Sequence, residues 1–305
     1  MKKLIYIGLV LLSANAVKAQ QLTFNSQYML NQYLINPAAA GVQDYLSIGT
    51  SFRQQWAGFK DAPRTQMLTA NSKIGESMGV GGILYNDITG PLRNLGFTGS
   101  YSYHIKTSES TKLSLGLSLS VTQHVLDGSG FILNDEVDQT LNGSSFKSFN
   151  PDAAFGAYYY GEKFFVGASV PQLIQKKYNF GEAKLDSTKH VRHYYVSGGY
   201  NFTLADDFDL EPSLLFKAVE ASPIQFDINA RLIYKKNLWA GLSYRNKESV
   251  VAMLGMKRDN FIIGYSYDYV VSNIRNYSAG THELYLEFQL SKKQGKSSFG
   301  HKSVL

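Results

Sequence analysis

The stretch that begins at Thr111 alternates almost perfectly between apolar and small side chains. In TKLSLGLSLSVTQ, apolar residues occupy every second position from Leu113 to Val121, and serine or glycine lies between them. A repeat of two is that of a β-strand, whose successive side chains point to opposite faces. The segments PIQFDINARLIY, LWAGLSYR, LGFTGSYSYH, FIIGYSYDY and THELYLEFQL follow the same rule. The chain is therefore predicted to be all-β.

The number and length of these alternating runs favour a membrane barrel. A sandwich would also alternate, but runs of about ten residues match a tilted strand that crosses a bilayer. Several apolar faces end in aromatic residues, as an interfacial girdle would: Tyr101 and Tyr103, Tyr158 to Tyr160, and Tyr265 to Tyr269. We predict a transmembrane antiparallel outer-membrane β-barrel of about 14 strands, with a soluble secreted β-sandwich as the alternative. The strands begin near Tyr45, Arg64, Met78, Asn94, Lys112, Phe149, Lys163, His190, Phe208, Ile224, Leu238, Glu248, Phe261 and Thr281.

The connections between these runs alternate in length. Those after even-numbered strands are short and polar, such as KTSES, GEK and KKN. Those after odd-numbered strands include the much longer DGSGFILNDEVDQTLNGSSFK and QLIQKKYNFGEAKLDSTK. Short periplasmic turns and long external loops are the arrangement of outer-membrane barrels. Both ends of the predicted barrel then lie on the periplasmic side.

The N-terminus has the pattern of a secretory leader. Lys2 and Lys3 precede a short apolar run, and Val17-Lys18-Ala19 supplies a cleavage site before Gln20. The run is too short to span a bilayer, and a chain without cysteine cannot carry a lipid anchor on cysteine or a disulfide. Four parts are expected: a signal peptide (1–19), a periplasmic or plug segment (20–44), the barrel (45–290) and a basic periplasmic tail (291–305) with Lys292, Lys293, Lys296 and Lys302.

The segment SQYMLNQYLINPAAAG lies between the leader and the first strand and does not alternate. We expect a short helix from Asn25 or Ser26, ended by Pro37. Its apolar side chains need cover, and the barrel mouth, the lumen or a periplasmic partner could each supply it.

Charged residues recur on the inward-facing sides of the predicted strands. They could line a water-filled pore or pair across the lumen and close it. Unpaired charge in a narrow lumen is costly, and both signs are present, so a largely plugged barrel is favoured. The predicted lumen charges are Glu211, Lys217, Asp227, Arg231, Arg245, Asp268, Glu283 and Glu287.

The sequence offers no constellation for catalysis, a cofactor or a metal. It contains no HExxH, GxSxG or phosphate-binding loop. His190 and His193 are three positions apart, so a strand would point them to opposite faces. The acidic stretch DGSGFILNDEVDQ could bind calcium or be a solvated external loop. Loss of the leader's three lysines lowers the formal charge from +6 to +3, which is too small an excess to indicate nucleic-acid binding.

Two signatures resemble a known family. SQYMLNQYLINPAAAG followed by RQQWAGFKDAPRTQ is similar to the N-terminal part of PorP/SprF proteins of the type IX secretion system, and the likeness continues through FNPDAAFGAYYY, VGASVPQLI and NYSAGTHELYLEF. The resemblance implies a non-enzymatic outer-membrane barrel that supports secretion or surface display of a cargo, such as a large adhesin with a C-terminal sorting domain, including gliding adhesins. It implies partners among that cargo and other secretion components in the periplasm and outer membrane. The alternative is a channel for small solutes or hydrophobic compounds.

Two groups of residues are candidates for partner binding. Trp56 and Phe59, with Arg53, are predicted in an external loop, where aromatic and arginine side chains are favoured interface anchors. Trp56 could equally fold inward and cap the lumen. Tyr28, Tyr33 and Ile35 of the N-terminal segment are candidates for contact with a periplasmic partner.

Overall fold

The computed structural model describes residues 25–128, 145–175, 191–219 and 222–291. The predicted signal peptide, the tail lysines and the acidic stretch DGSGFILNDEVDQ after its first two residues lie outside these residues. In the described ranges, no helix has the length and apolar character needed to cross a membrane.

The chain forms a closed antiparallel β-barrel. β1 pairs with β15 from Tyr45–Ser291 to Gln54–His282, which joins the first strand to the last. β8 and β9 both pair with β10 and form one barrel strand interrupted at Asn201, so the barrel has 14 strands. The strands are β1 Tyr45–Gln54, β2 Arg64–Ile74, β3 Met78–Thr89, β4 Leu92–Lys106, β5 Thr111–Asp127, β6 Ser145–Gly161, β7 Phe164–Val170, β8 His193–Tyr200, β9 Phe202–Ala205, β10 Phe208–Val219, β11 Gln225–Tyr234, β12 Leu238–Arg245, β13 Ser249–Arg258, β14 Phe261–Val270 and β15 Thr281–Ser291.

The alternation predicted from the sequence divides the two faces of the wall. In β5, Leu117 and Leu119 point outward and are 59% and 72% exposed, whereas Ser114 and Ser118 point into the lumen and are buried. The same division holds in β11, where Ile228 and Leu232 are outside and Asp227 and Arg231 inside. An outer surface this apolar requires lipid around it. The predicted barrel is confirmed.

The aromatic residues occupy both faces of the wall. Tyr101, Tyr103 and Tyr269 are exposed on the outer face, as a girdle requires. The expectation was wrong for Tyr158 and Tyr160, which are buried in the lumen. Three consecutive tyrosines in a strand cannot share a face, because successive side chains alternate.

The connections define two ends of the barrel. At one end, where β1 begins and β15 finishes, the turns between strands are short, such as 162–163, 206–207 and 235–237. In the last of these, Lys235 and Lys236 have φ of 50° and 57°, which allows the chain to reverse tightly. The strand ends joined by the longer connections, including 55–63, 128–144 and 171–192, lie at the opposite end. Following the pattern of outer-membrane barrels, we call the two the periplasmic end and the outer end.

The lipid-facing surface gives a direct prediction. Leu117 is six residues from the periplasmic start of β5, near the middle of the bilayer at the usual strand tilt. Leu117→Arg should cost about 2–4 kcal/mol and strongly reduce the folded protein in the outer membrane. Heat-modifiable gel mobility of membrane fractions would measure this. Leu117→Met, which keeps an apolar side chain, is the control, and equal accumulation of both variants would contradict the assigned face.

Candidate functional site: a plugged lumen with an ion-pair cluster

The segment before β1 runs through the lumen. Its first described residues, Asn25 and Ser26, contact side chains near the outer ends of the strands, and Asp44 precedes β1 at the periplasmic end. The sequence left three possible surroundings for the apolar side chains of this segment, and the structure shows that they lie in the lumen. We call residues 25–44 the plug.

The plug is made of turns and two short 3-10 helices. Gln32–Leu34 forms the first, where the Asn31 side chain accepts a hydrogen bond from the Tyr33 amide. Pro37–Ala39 forms the second. The predicted helix ended by Pro37 was wrong, because Pro37 starts a helical turn, a position where its missing N–H costs nothing.

The NPAAAG part of the plug is fitted closely to the wall. The Asn36 amide donates to the carbonyls of Ala157 in β6 and Ala168 in β7, at 3.0 and 3.3 Å. Its Oδ1 accepts from the Ala38 amide at 2.9 Å. A Cβ added at Gly116 would lie 2.3 Å from the Ala38 backbone nitrogen. Only glycine permits this approach.

Apolar contacts fill the rest of the inner lumen. Next to the periplasmic end, the plug and the wall form one buried cluster; the members are Tyr33, Ala38, Ala39, Ala40, Val42, Tyr158, Tyr160 and Phe165. Farther along, Tyr28, Met29 and Ile35 pack against Tyr195, Leu215, Val251 and Met253. A cavity of about 50 Å³ between plug and wall leaves room for a few water molecules. The lumen is therefore filled along the plug.

A cluster of buried charges surrounds the start of the plug. Arg53 of β1 donates to Asp268 of β14 at 2.8 Å and to Glu283 of β15 at 3.0 Å. Ser26 Oγ accepts from Arg53 Nη1 at 2.8 Å and donates to Asp268 Oδ2 at 2.7 Å. The Ser26 and Gln27 backbone amides both donate to the Glu283 carboxylate, at 2.7 and 3.2 Å. The plug thus completes a charge network of the wall.

Arg245 extends this network across the lumen. Its guanidinium lies 3.2 Å from Asp227 and 3.1 Å from Glu248, and also 3.6 Å from Asp268. Lys217 lies 3.6 Å from the other oxygen of Asp227. We call Arg53, Lys217, Asp227, Arg245, Asp268 and Glu283 the outer ion cluster. Charges of both signs compensate one another where water is excluded.

The remaining predicted lumen charges are also inside and buried. The Arg231 guanidinium donates to Glu211 at 2.9 Å, and the Gln289 amide donates to Glu287 at the same distance. All eight predicted lumen charges therefore face the interior, and these contacts link oppositely charged or hydrogen-bonding neighbours. The arrangement is that of a closed lumen.

The predicted partner-binding residues fall into different environments. Arg53 was expected in an external loop, but β1 continues to Gln54, and the alternation turns Arg53 inward to the outer ion cluster. Tyr28, Tyr33 and Ile35 are buried in the lumen. Their role in binding a periplasmic partner stays a prediction, and it requires the plug to leave the barrel.

Trp56 and Phe59 lie at the outer end. Phe59 is exposed and Trp56 is half-buried, with its backbone amide donating to Thr281 Oγ1 at 3.1 Å. The loop is paired with the β14–β15 connection through two hydrogen bonds of 2.7 Å between Ala57 and residues 279 and 280. Tyr277 in that connection is 72% exposed. We call residues 55–63 and 271–280 together the external ridge.

The contact between the plug and the wall glycines was not predicted from the sequence. A signal for it was present: Gly116 and Gly156 occupy inward positions in strands whose neighbouring inward residues all carry a side chain. A missing side chain on the inner face of a barrel marks a close backbone approach. Among the described residues, no group of three or more histidines and carboxylates is placed to hold a metal ion.

Comparisons with known proteins agree with this architecture. A family model described as "Type IX secretion system membrane protein PorP/SprF" matches residues 17–288. No curated protein matches the chain significantly. The toluene transporter TbuX of Ralstonia pickettii is 9% identical, with a TM-score of 0.52 over 88% of this chain and 94% of that one. The P. putida toluene transporter TodX is 9% identical, with a TM-score of 0.51 over 87% and 94%. At this identity the likeness shows the fold alone.

Proposed function

Because the chain belongs to the PorP/SprF family of type IX secretion system membrane proteins, and is an outer-membrane β-barrel, we propose that it supports export or surface display of a specific cargo protein without catalysing a reaction. The cargo we propose is a secreted protein with a C-terminal sorting domain, such as a large adhesin. The partners in the membrane and periplasm are other components of the same secretion system.

The filled lumen is the observation that carries this proposal. The plug packs against the wall in buried clusters, and the cavity of about 50 Å³ beside it is far too small for a polypeptide to cross. Release of the cargo through this barrel would require displacement of the plug and several buried ion pairs. If the barrel instead acts by binding a cargo or a translocating partner, neither the plug nor the ion pairs need to be displaced. We therefore propose that the barrel is a docking component and that the cargo crosses the membrane elsewhere.

The external ridge supplies a suitable contact surface. It exposes the aromatic side chains of Phe59 and Tyr277 together with the basic side chains of Lys60 and Arg275. Aromatic and arginine residues are favoured as anchors in protein interfaces. The two loops hold each other through backbone hydrogen bonds, so the ridge can bind without first being ordered. We propose that the cargo contacts this ridge on the cell surface.

The experiment has two stages. Deletion of the gene, followed by proteomics of the culture medium and the cell surface, should show loss of a limited set of proteins. The surface variants Phe59→Ala and Trp56→Ala should then leave the barrel inserted and reduce surface display of the same cargo several-fold. Lys236→Ala, in a turn at the periplasmic end, is the control. If the ridge variants insert properly and the cargo is displayed as before, the ridge does not bind the cargo. If deletion of the gene leaves the proteins of the medium and the cell surface unchanged, the protein has no role in secretion.

A channel for hydrophobic compounds is the second candidate. It is favoured by the fold shared with two toluene transporters at TM-scores just above 0.5. The filled lumen argues against it. Uptake of labelled toluene into proteoliposomes that contain the purified protein tests it, with protein-free liposomes as the control.

A further inference from the structure

The plug is bound to the wall in two chemically different ways. Its first three described residues, Asn25, Ser26 and Gln27, are held by hydrogen bonds to the strand ends near the outer ion cluster. From Tyr28 to Val42 it packs into apolar clusters and against the wall backbone. These two kinds of contact respond differently to water, because polar groups exchange their partners with water at little cost and apolar surface does not.

The polar part of the plug is incompletely satisfied. Within the described protein, four buried atoms at this place have no hydrogen-bond partner, and they are Asn25 Oδ1, Gln27 Oε1, Arg53 Nε and Asp268 Oδ1. A buried polar network that is only partly satisfied is unfavourable, since each such group has lost its water. Withdrawal of residues 25–27 would admit water to these atoms and to the surrounding charges. Hydrogen bonds to water would therefore replace those that residues 25–27 lose.

The rest of the plug has no such compensation. The Asn36 amide is shared between β6 and β7, and Ser169 Oγ donates to the Ile35 carbonyl at 2.6 Å. Ala38 and Ala40 are fully buried. Withdrawal of this part would open a large apolar cavity, which costs both buried area and dispersion contacts.

The polar part also lies close to the external ridge. Arg53, which binds Ser26 Oγ, lies near the end of β1, and the ridge begins directly after that strand. Thr281 accepts a hydrogen bond from the Trp56 amide and lies opposite Asp268 in the sheet. A change in the ridge therefore reaches the outer ion cluster through two strand ends.

We propose that Asn25, Ser26 and Gln27 form a releasable latch that opens toward the extracellular side, while Tyr28 to Val42 stay seated in the barrel. Release exposes the charges of Arg53, Asp268 and Glu283 in a small vestibule that faces the cell exterior. The vestibule then offers a polar contact next to the external ridge, and the barrel beneath it remains closed.

The absence of cysteine from the chain makes the latch testable by thiol labelling. Asn25→Cys probes the latch, and Ala39→Cys, equally buried in the seated part, is the matched control. A membrane-impermeant maleimide is added to intact cells, and both variants are also labelled after denaturation to equalise reactivity. We expect N25C to label at least tenfold faster than A39C. Equal rates for the two variants would overturn the proposal, since they would show a plug that is static or moves as a whole.

Two further variants separate release of the latch from global unfolding. Asp268→Asn removes a carboxylate that binds Ser26 and Arg53, so it should increase labelling of N25C several-fold and leave A39C unchanged. Glu283→Gln weakens the hydrogen bonds that the Glu283 carboxylate accepts from the Ser26 and Gln27 amides, so it should likewise increase labelling of N25C and leave A39C unchanged. Parallel increases at both positions with Asp268→Asn would show unfolding in place of release and would overturn the proposal.

Discussion

Replacement of Arg245 by leucine is expected to lower the free energy of unfolding by about 3–5 kcal/mol, the cost of breaking a buried ion pair from one side. Arg245 is 1% exposed and lies within 3.6 Å of Asp227, Glu248 and Asp268. Without it, Asp227 loses its 3.2 Å contact and keeps the longer one to Lys217, and Asp268 keeps Arg53. Guanidinium unfolding in lipid vesicles, followed by tryptophan fluorescence, would measure the change.

An exposed ion pair in the same protein is the control for this effect. Lys235 and Asp207 lie 3.6 Å apart in periplasmic turns, and both side chains are about half exposed. Lys235→Leu should leave stability unchanged within error, because water screens the pair. A similar loss for both variants would show that the buried position of Arg245 does not determine its contribution.

Removal of residues 22–36 behind an intact leader should convert a closed barrel into a conducting one. A 14-strand barrel that has lost residues 25–36 of its plug has room for water, and the wall charges would line the passage. Planar-bilayer recordings should show stepwise ion conductance for the truncated protein and none for the wild type. The same deletion is expected to stop export of the cargo with the barrel still inserted. If the truncated protein inserts normally but shows no conductance, the plug is not what closes the lumen.

A point substitution can displace the plug without deleting it. In Gly116→Val, the new side chain would overlap the Ala38 backbone, so this variant should also conduct. Gly99→Val is the matched control, because a Cβ at Gly99 faces outward and its nearest neighbour would be 3.9 Å away. Conductance from the Gly99 variant as well would point to a general disturbance of the barrel.

The strands could be predicted from the sequence because their signal is local. Tyr45, Arg64, Met78, Phe208, Leu238, Phe261 and Thr281 begin strands where they were expected, since alternation and turn residues mark each strand without reference to its neighbours. The inward direction of the lumen charges followed from the same alternation. Arg53 was misplaced because β1 runs further than its apolar pattern indicates, and strand ends are the least certain part of such a prediction.

The path of the plug could not be predicted in this way. Its amides and side chains find their partners on strands at both ends of the chain, and no local pattern encodes those contacts. The fit between Ala38 and Gly116 depends on two segments that meet only in the closed barrel. The sequence contains the small residues needed for this contact but does not show which of them face each other.

The contacts of Ser26 have a consequence for the order of biogenesis. Its partners Asp268 and Glu283 are 242 and 257 residues away, on the last two strands of the barrel. Contacts of such high sequence separation form late, because the chain between them must be ordered first. The plug, which is synthesised before the strands, therefore makes these contacts only after β14 and β15 have formed. The pairing of β1 with β15 must then close the barrel around the plug. After β1 and β15 have paired, a plug segment that is still outside could enter the lumen only through the periplasmic end. Whether the barrel is blocked or open therefore depends on whether the plug is in place before this pairing.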